Sequence, residues 1–153
     1  MKTTYYYNSP IGILKLCCSE SSLEGLSFVQ YAEENPKQIS KILSTCKEQL
    51  DRYFSGKLKS FDIPIEFTKG TEFQQNVWKA LQNIPYGETR SYKDIATIIG
   101  NPKAVRAVGG ANNKNPIGII IPCHRVIGSS GKLVGYASGL DNKEWLLKHE
   151  NKK

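Results

Sequence analysis

The sequence predicts an α+β protein, a small antiparallel sheet followed by a helical half, on three observations. Short runs rich in Thr, Tyr and loosely alternating apolar residues fill positions 3–29, separated by turn residues. From residue 71 the apolar residues recur at helical spacing behind two capping boxes. Between the halves, Lys57–Gly70 carries Pro64 and Gly70 just after Gly56 and reads as a crossing or linker. The expected domains are therefore 1–70, a structural partner, and 71–153.

In chain order, Thr3–Tyr7, Gly12–Cys18 and Leu23–Val29 are predicted strands. Asn8-Ser9-Pro10 and Glu20–Ser22 turn the chain into a meander. Pro36 is expected to open a helix with Ile39, Leu43, Cys46 and Leu50 on its apolar stripe and Gly56 as its stop. In the second half, Thr71 and Gln74 form a capping box for a helix over Glu72–Asn83, ended by Pro85. Ser91 and Asp94 form another for Tyr92–Ile99, with Gly100 as the left-handed C-terminal residue. Asn101-Pro102 then predicts an N-cap and first turn for a helix from Pro102 to Asn112, completing a helix-turn-helix. Ile117–Ile121 reads as a buried strand or core segment. Asp141 with Glu144 is expected to cap a last helix reaching Glu150, with Leu140 packing on Trp145 as a hydrophobic staple.

Composition removes several classes. With 39% apolar and 23% charged residues, the chain is neither disordered nor fibrous. Its longest apolar run, Ile117 to Ile121, is far below the ~18 residues of a membrane span, so no membrane partner is expected. Cys17, Cys18, Cys46 and Cys123 lack metal or disulfide spacing, so no metal or other cofactor is expected. The segment Met1–Tyr5 has no signal-like apolar run, which predicts a cytoplasmic protein, nuclear in a eukaryote. Charge is one-sided: residues 71–153 hold 12 Lys+Arg against 6 Asp+Glu, whereas residues 1–70 hold 9 against 8. This fits a polyanionic partner, nucleic acid first, or a simple solubility surplus.

Three local features carry chemistry. Gly109-Gly110 lie inside a predicted helix, at about 1 kcal/mol each relative to alanine. Either another helix packs there, or the bare face meets a nucleic-acid backbone with Arg106 projecting from it. Pro122 holds Ile121 extended, so Cys123 sits where a buried segment ends. His124 could activate this thiol across a turn or through a water, because neighbours on an extended chain face opposite ways. A chance Cys-His pair is the alternative. Glu150, an acid at a helix C-terminus, opposes the macrodipole; it is either a frayed end or a carboxylate kept to hold an imidazole. Cys46 reads as core, and Cys17 and Cys18 as strand residues.

Together these motifs carry a resemblance. Tyr86-Gly87-Glu88, Ser91-Tyr92, Asn101–Ala111, Asn115-Pro116, Ile121-Pro122-Cys123-His124-Arg125-Val126 and Lys143–Glu150 resemble the O6-alkylguanine-DNA alkyltransferases, the methylated-DNA–protein-cysteine methyltransferases. The likeness covers residues 72–150, and its PCHRV core is highly specific. It implies an RNase H-like first half and a winged-helix-like second half that binds double-stranded DNA carrying alkylated bases, as a monomer. It makes Cys123 the irreversible acceptor of the alkyl group from O6-alkylguanine or O4-alkylthymine. His124 is then its base through a water, and Glu150 holds His124. Tyr92 donates to the guanine ring and helps rotate the nucleotide out of the duplex. Arg106 fills the vacated stack, from a helix that enters the minor groove. Asn115 braces the turn before the active-site segment. Val126, Gly135, Tyr136, Ala137 and Ser138 line the base pocket, with the Ala137 amide facing the alkylated oxygen.

The chain departs from the family pattern at Asn112 and Asn113, often a larger apolar and a basic residue, and at Gly118, a proline in some relatives. Cys123 separates it from a non-catalytic branch that lacks the cysteine. Two rival readings are a helix-turn-helix regulator in which Cys123 is structural, and a Cys-His hydrolase that turns over repeatedly.

Overall fold

Strands β1 (Thr3–Ser9), β2 (Gly12–Cys18) and β3 (Leu23–Val29) form an antiparallel meander in the order β1-β2-β3. This is a computed structural model, and it describes residues 2–136 and 139–152. β1 runs two residues past the expected end, since Asn8 pairs with Ile13 and Ser9 with Gly12. The turn is therefore Pro10-Ile11, fastened by Ser9 Oγ donating to Gly12 O at 2.6 Å and accepting from Ile11 N at 3.2 Å. Leu14, Leu16 and Cys18, two apart on β2, are buried on one face, as a half-covered sheet requires.

Helix α1 spans Lys41–Phe54, not from Pro36. Ser40 supplies what the proline lacked: its hydroxyl accepts from Leu43 N and ends the non-helical run. Leu43, Cys46, Leu50 and Tyr53 make the buried stripe, while Ile39 precedes the cap and is only half-buried. Gly56 follows at φ 80°. The expected linker is docked rather than loose. Ile65 pairs parallel with Leu23, and the side chain of Gln49 bonds both polar backbone groups of Asp62, at 3.0 and 2.8 Å.

The chain divides into two compact units, Met1–Thr68 and Lys69–Lys153. In the second, α2 (Glu72–Leu81) opens on the Thr71–Gln74 capping box. It stops two residues before Asn83, and Gln82, Asn83 and Ile84 wind down through bonds to Lys79, Ala80 and Leu81. Strand β4 (Arg90–Ser91) leads into α3 (Tyr92–Ile98), capped by Ser91 and Asp94. Gly100 at φ 81° closes a Schellman motif, with Gly100 N on Thr97 O and Asn101 N on Ala96 O.

Helix α4 covers Val105–Asn113, so it starts three residues after Pro102. Asn101 does not cap it; its carbonyl instead accepts from Ala104 N in a separate turn, and Ala104 is the N-cap without a side-chain bond. α4 packs on α2 and α3. The indole of Trp78 donates to Ala111 O at 2.8 Å.

Ile117–Ile121 is core but not a strand: Ile117, Ile119 and Ile121 are buried, and the chain turns through Gly118–Ile120 between them. Ile119 sits at φ 68°, where a β-branched residue is strained, inside a bond from Ile120 N to Gly118 O. Helix α5 (Leu140–Glu150) begins at Gly139, φ 105°, with no side-chain cap. Asp141 is thus the second helical residue rather than the cap. Leu140 is the first residue of the helix, 47% exposed, and so does not hold the position before the cap that the expected staple requires.

Candidate active site

The segment after Ile121 turns tightly instead of staying extended. Cys123 N bonds Ile121 O across Pro122 (φ −80°, ψ 64°), an inverse γ-turn, and Cys123–Arg125 form one 3₁₀ turn. Cys123 and His124 are therefore neighbours on a turn, the first of the two arrangements by which the sequence allows His124 to serve the thiol. Asn115 braces this geometry: Nδ2 donates to Ile121 O at 2.7 Å, and Oδ1 accepts from Ile117 N at 3.0 Å. Strand β5 (Val126–Ile127) follows and pairs parallel with β4, Arg90 with Val126 and Ser91 with Ile127. That ladder ties the start of α3, and so Tyr92, to the end of the cysteine turn.

Cys123, His124, Arg125 and Glu150 are all buried. His124 Nε2 lies 2.7 Å from Glu150 Oε2. Arg125 grips the same carboxylate with two bonds, Nε to Oε1 at 2.8 Å and Nη2 to Oε2 at 3.0 Å, and donates Nη1 to Ile84 O at 2.7 Å. Burial alone would push the Glu150 carboxyl up, but the bonds from His124 and Arg125 outweigh it and hold the group well below the usual carboxylate range. An ionised Glu150 makes Nε2 the protonated nitrogen of a neutral His124. Nδ1 is then a buried lone pair with no hydrogen-bond partner. Burial also lowers the His124 pKa, partly offset by Glu150, so the ring is neutral and able to accept a proton.

The Cys123 thiol is pushed up by burial, while a bond from Asn115 and the charge of Lys143 pull it down. Tyr92, on the first turn of α3, donates its hydroxyl to Val134 O at 2.8 Å. Its pKa is raised by burial and then by the Cys123 charge. Asn112 donates Nδ2 to Cys123 O at 3.4 Å, and its buried Oδ1 has no partner.

Among the expected pocket residues, Val126 is buried on β5 and Tyr136 is half-buried, its hydroxyl pushed far above normal by burial. Ala137 and Ser138 lie outside the described residues. Arg106 is exposed on α4 with Lys103 and Lys114 nearby in the chain. A Cβ on Gly110 would meet nothing within 4 Å, and one on Gly109 would only graze the Tyr92 ring at 3.9 Å. Close packing within the described residues thus does not explain the glycine pair, and the open face of α4 remains as the reason.

Three residues of the site escaped the sequence reading. Arg125 was part of a motif but given no task. Lys143 shares a buried helical stripe with Leu146 and Glu150, and that spacing was its signal. Asn112 was noted only as a departure.

Comparison with known proteins adds the following. Residues 72–152 match the model of the 6-O-methylguanine DNA methyltransferase DNA binding domain, and residues 1–67 that of the ribonuclease-like domain of 6-O-methylguanine DNA methyltransferase. A methylated-DNA–protein-cysteine methyltransferase of Methanosarcina barkeri is 56% identical over 153 residues, covering 95% of this chain and 96% of that protein. The crystal structure of the Mycobacterium tuberculosis O6-methylguanine methyltransferase superposes with a TM-score of 0.88 at 48% identity, covering 98% of this chain and 93% of that one. A structure of the Mycobacterium tuberculosis OGT in complex with DNA gives 0.87 at 49%, covering 95% and 90%.

Proposed function

Because this chain belongs to the 6-O-methylguanine DNA methyltransferase family, whose two domains span it almost from end to end, we infer that Cys123 is the sulfur that receives the alkyl group. The protein repairs DNA by moving the alkyl group of an O6-alkylguanine onto its own cysteine, and the reading as a regulator with a structural Cys123 is set aside. The observation that carries the residue assignment is the orientation of His124. Nε2 keeps its proton and donates it in a hydrogen bond to Glu150, which leaves a basic, unpartnered Nδ1 in the same turn as the thiol.

The chemistry follows from that placement. The Cys123 proton passes through a water to His124 Nδ1, and the sulfur lone pair attacks the alkyl carbon. The carbon–oxygen bond breaks, and its electron pair returns to the base. A hydrogen bond from Tyr92 to a ring nitrogen lowers the charge that the leaving base must carry. A thioether does not reverse under these conditions, so each molecule acts once.

The alkyl carbon is out of reach inside a duplex, so the nucleotide must be flipped at a cost of a few kcal/mol. Arg106, exposed on the bare face of α4, suits the role of filling the vacated stack, and phosphate contacts from exposed Lys103 and Lys114 offset the rest.

Intact mass after incubation with a methylated duplex tests the reading. The wild type is expected to gain one methyl and Cys123→Ser none; a folded wild type that gains nothing refutes it. Arg106→Ala is expected to slow repair of duplex DNA about tenfold or more while leaving transfer from free O6-alkylguanine nearly intact, as measured by single-turnover rates. Equal losses on both substrates would remove Arg106 from flipping.

A further inference from the structure

Two donors converge on one backbone oxygen. Val134 O accepts from Tyr92 Oη at 2.8 Å and from Lys143 Nζ at 2.7 Å. Lys143 is fully buried on α5, and its ammonium lies 5.8 Å from the centre of the Tyr92 ring. Burial drives the Lys143 pKa down to about 8, with the Cys123 charge acting the other way. A lysine placed so weakens the fold by the desolvation of its charge, and no carboxylate ion pair to it is found among the described residues.

The tyrosine hydroxyl has one proton. Here that proton is spent on Val134 O, whereas transfer needs it on the base. Gly135, at φ 57°, leaves room beside the hydroxyl: a Cβ there would stand 3.5 Å from Tyr92 Oη. We propose that Lys143 is a positioning residue for the transfer: it keeps the Val134 carbonyl bonded, so that Tyr92 can leave that carbonyl and donate to the flipped base. This rests on the reading of Tyr92 given above. In the resting protein both donors share the carbonyl's two lone pairs. When Tyr92 turns away, a charge-assisted bond stays behind. Without Lys143, the same movement strips the carbonyl of its last donor among the described residues, and Tyr92 stays where it is.

A double-mutant cycle on transfer from free O6-benzylguanine separates this from a structural role. Lys143→Met, Tyr92→Phe and the double variant are compared as single-turnover rates. Each rate is divided by that of Cys123 with iodoacetamide at the same pH, which removes the effect of Lys143 on the thiolate. Lys143→Met is expected to slow transfer about tenfold or more on its own, and less than twofold when Tyr92→Phe is already present. Lys143→Arg, which restores a cationic donor, is expected to recover most of the loss. Equal factors in the two backgrounds, or an unchanged rate in folded Lys143→Met, overturn the proposal while methyl uptake by the wild type leaves the function standing. If Lys143→Met does not fold, Lys143→Leu, which likewise has no donor, takes its place in the cycle with the same expectations.

Discussion

Arg125→Leu is expected to cost the second unit about 3–5 kcal/mol, the usual penalty for removing one partner of a buried ion pair. The substitution deletes two bonds to Glu150 and one to Ile84 O, and takes from a buried carboxylate the cation that grips both its oxygens. For a chain of this length the melting temperature should fall by roughly 10 °C. Lysine is no remedy, since a single ammonium cannot reproduce a fork that grips both carboxylate oxygens and a third acceptor. The effect has a pH signature. Glu150 has a folded pKa below its unfolded value, so its contribution is present above the unfolded value of about 4.3 and fades as pH falls through the folded one. His124 is also depressed in the fold, so acid favours the unfolded chain from about pH 6.5 downward. Wild-type stability therefore declines below neutrality through both groups. With Arg125 gone the Glu150 pKa rises, and the variant loses the Glu150 part of its dependence on acid around pH 4 while remaining weaker at pH 7. A neutral-pH melt within 2 °C of the wild type would show that Arg125 is dispensable to the cluster.

Gly70→Ala is the second large effect, at roughly 3 kcal/mol or more, by summing overpacking with backbone strain. Gly70 has φ 100°, and a Cβ there would lie 2.5 Å from two atoms of the Trp78 ring. That ring cannot retreat: it is buried, and its nitrogen is bonded to Ala111 O. Gly110→Ala is the matched comparison, because its Cβ meets nothing and the residue is helical. Alanine at 110 should stabilise α4 by up to about 1 kcal/mol. Denaturant melts of the two variants should thus move in opposite directions, and a neutral Gly70→Ala would contradict the packing described.

What the sequence disclosed and what it hid divide along physical lines. The boxes at Thr71–Gln74 and Ser91–Asp94 and the stop at Gly100 were legible because a cap satisfies backbone groups within one turn. Cys123, His124 and Glu150 were legible as residue types in a motif, and the buried Glu150–His124 bond gives the helix-end acid its reason. Pro36 and Pro102 misled because a proline tolerates a first helical turn without requiring one. Ser40 and Ala104, the residues that in fact cap α1 and α4, were decided by hydrogen bonds downstream. Arg125 and Lys143 were hidden for another reason. A charged side chain is read as solvated unless its partner is known, and theirs are a carboxylate on α5 and a loop carbonyl that only tertiary structure brings near.

The short parallel pairing of Arg90-Ser91 with Val126-Ile127 has a consequence for speed. Tyr92 and Cys123 are far apart along the chain, and a flexible chain would pay loop-closure entropy each time donor and nucleophile met. Two rungs of ladder settle that cost once, during folding. Thereafter the two groups present themselves at a fixed effective concentration, and only the base has to arrive.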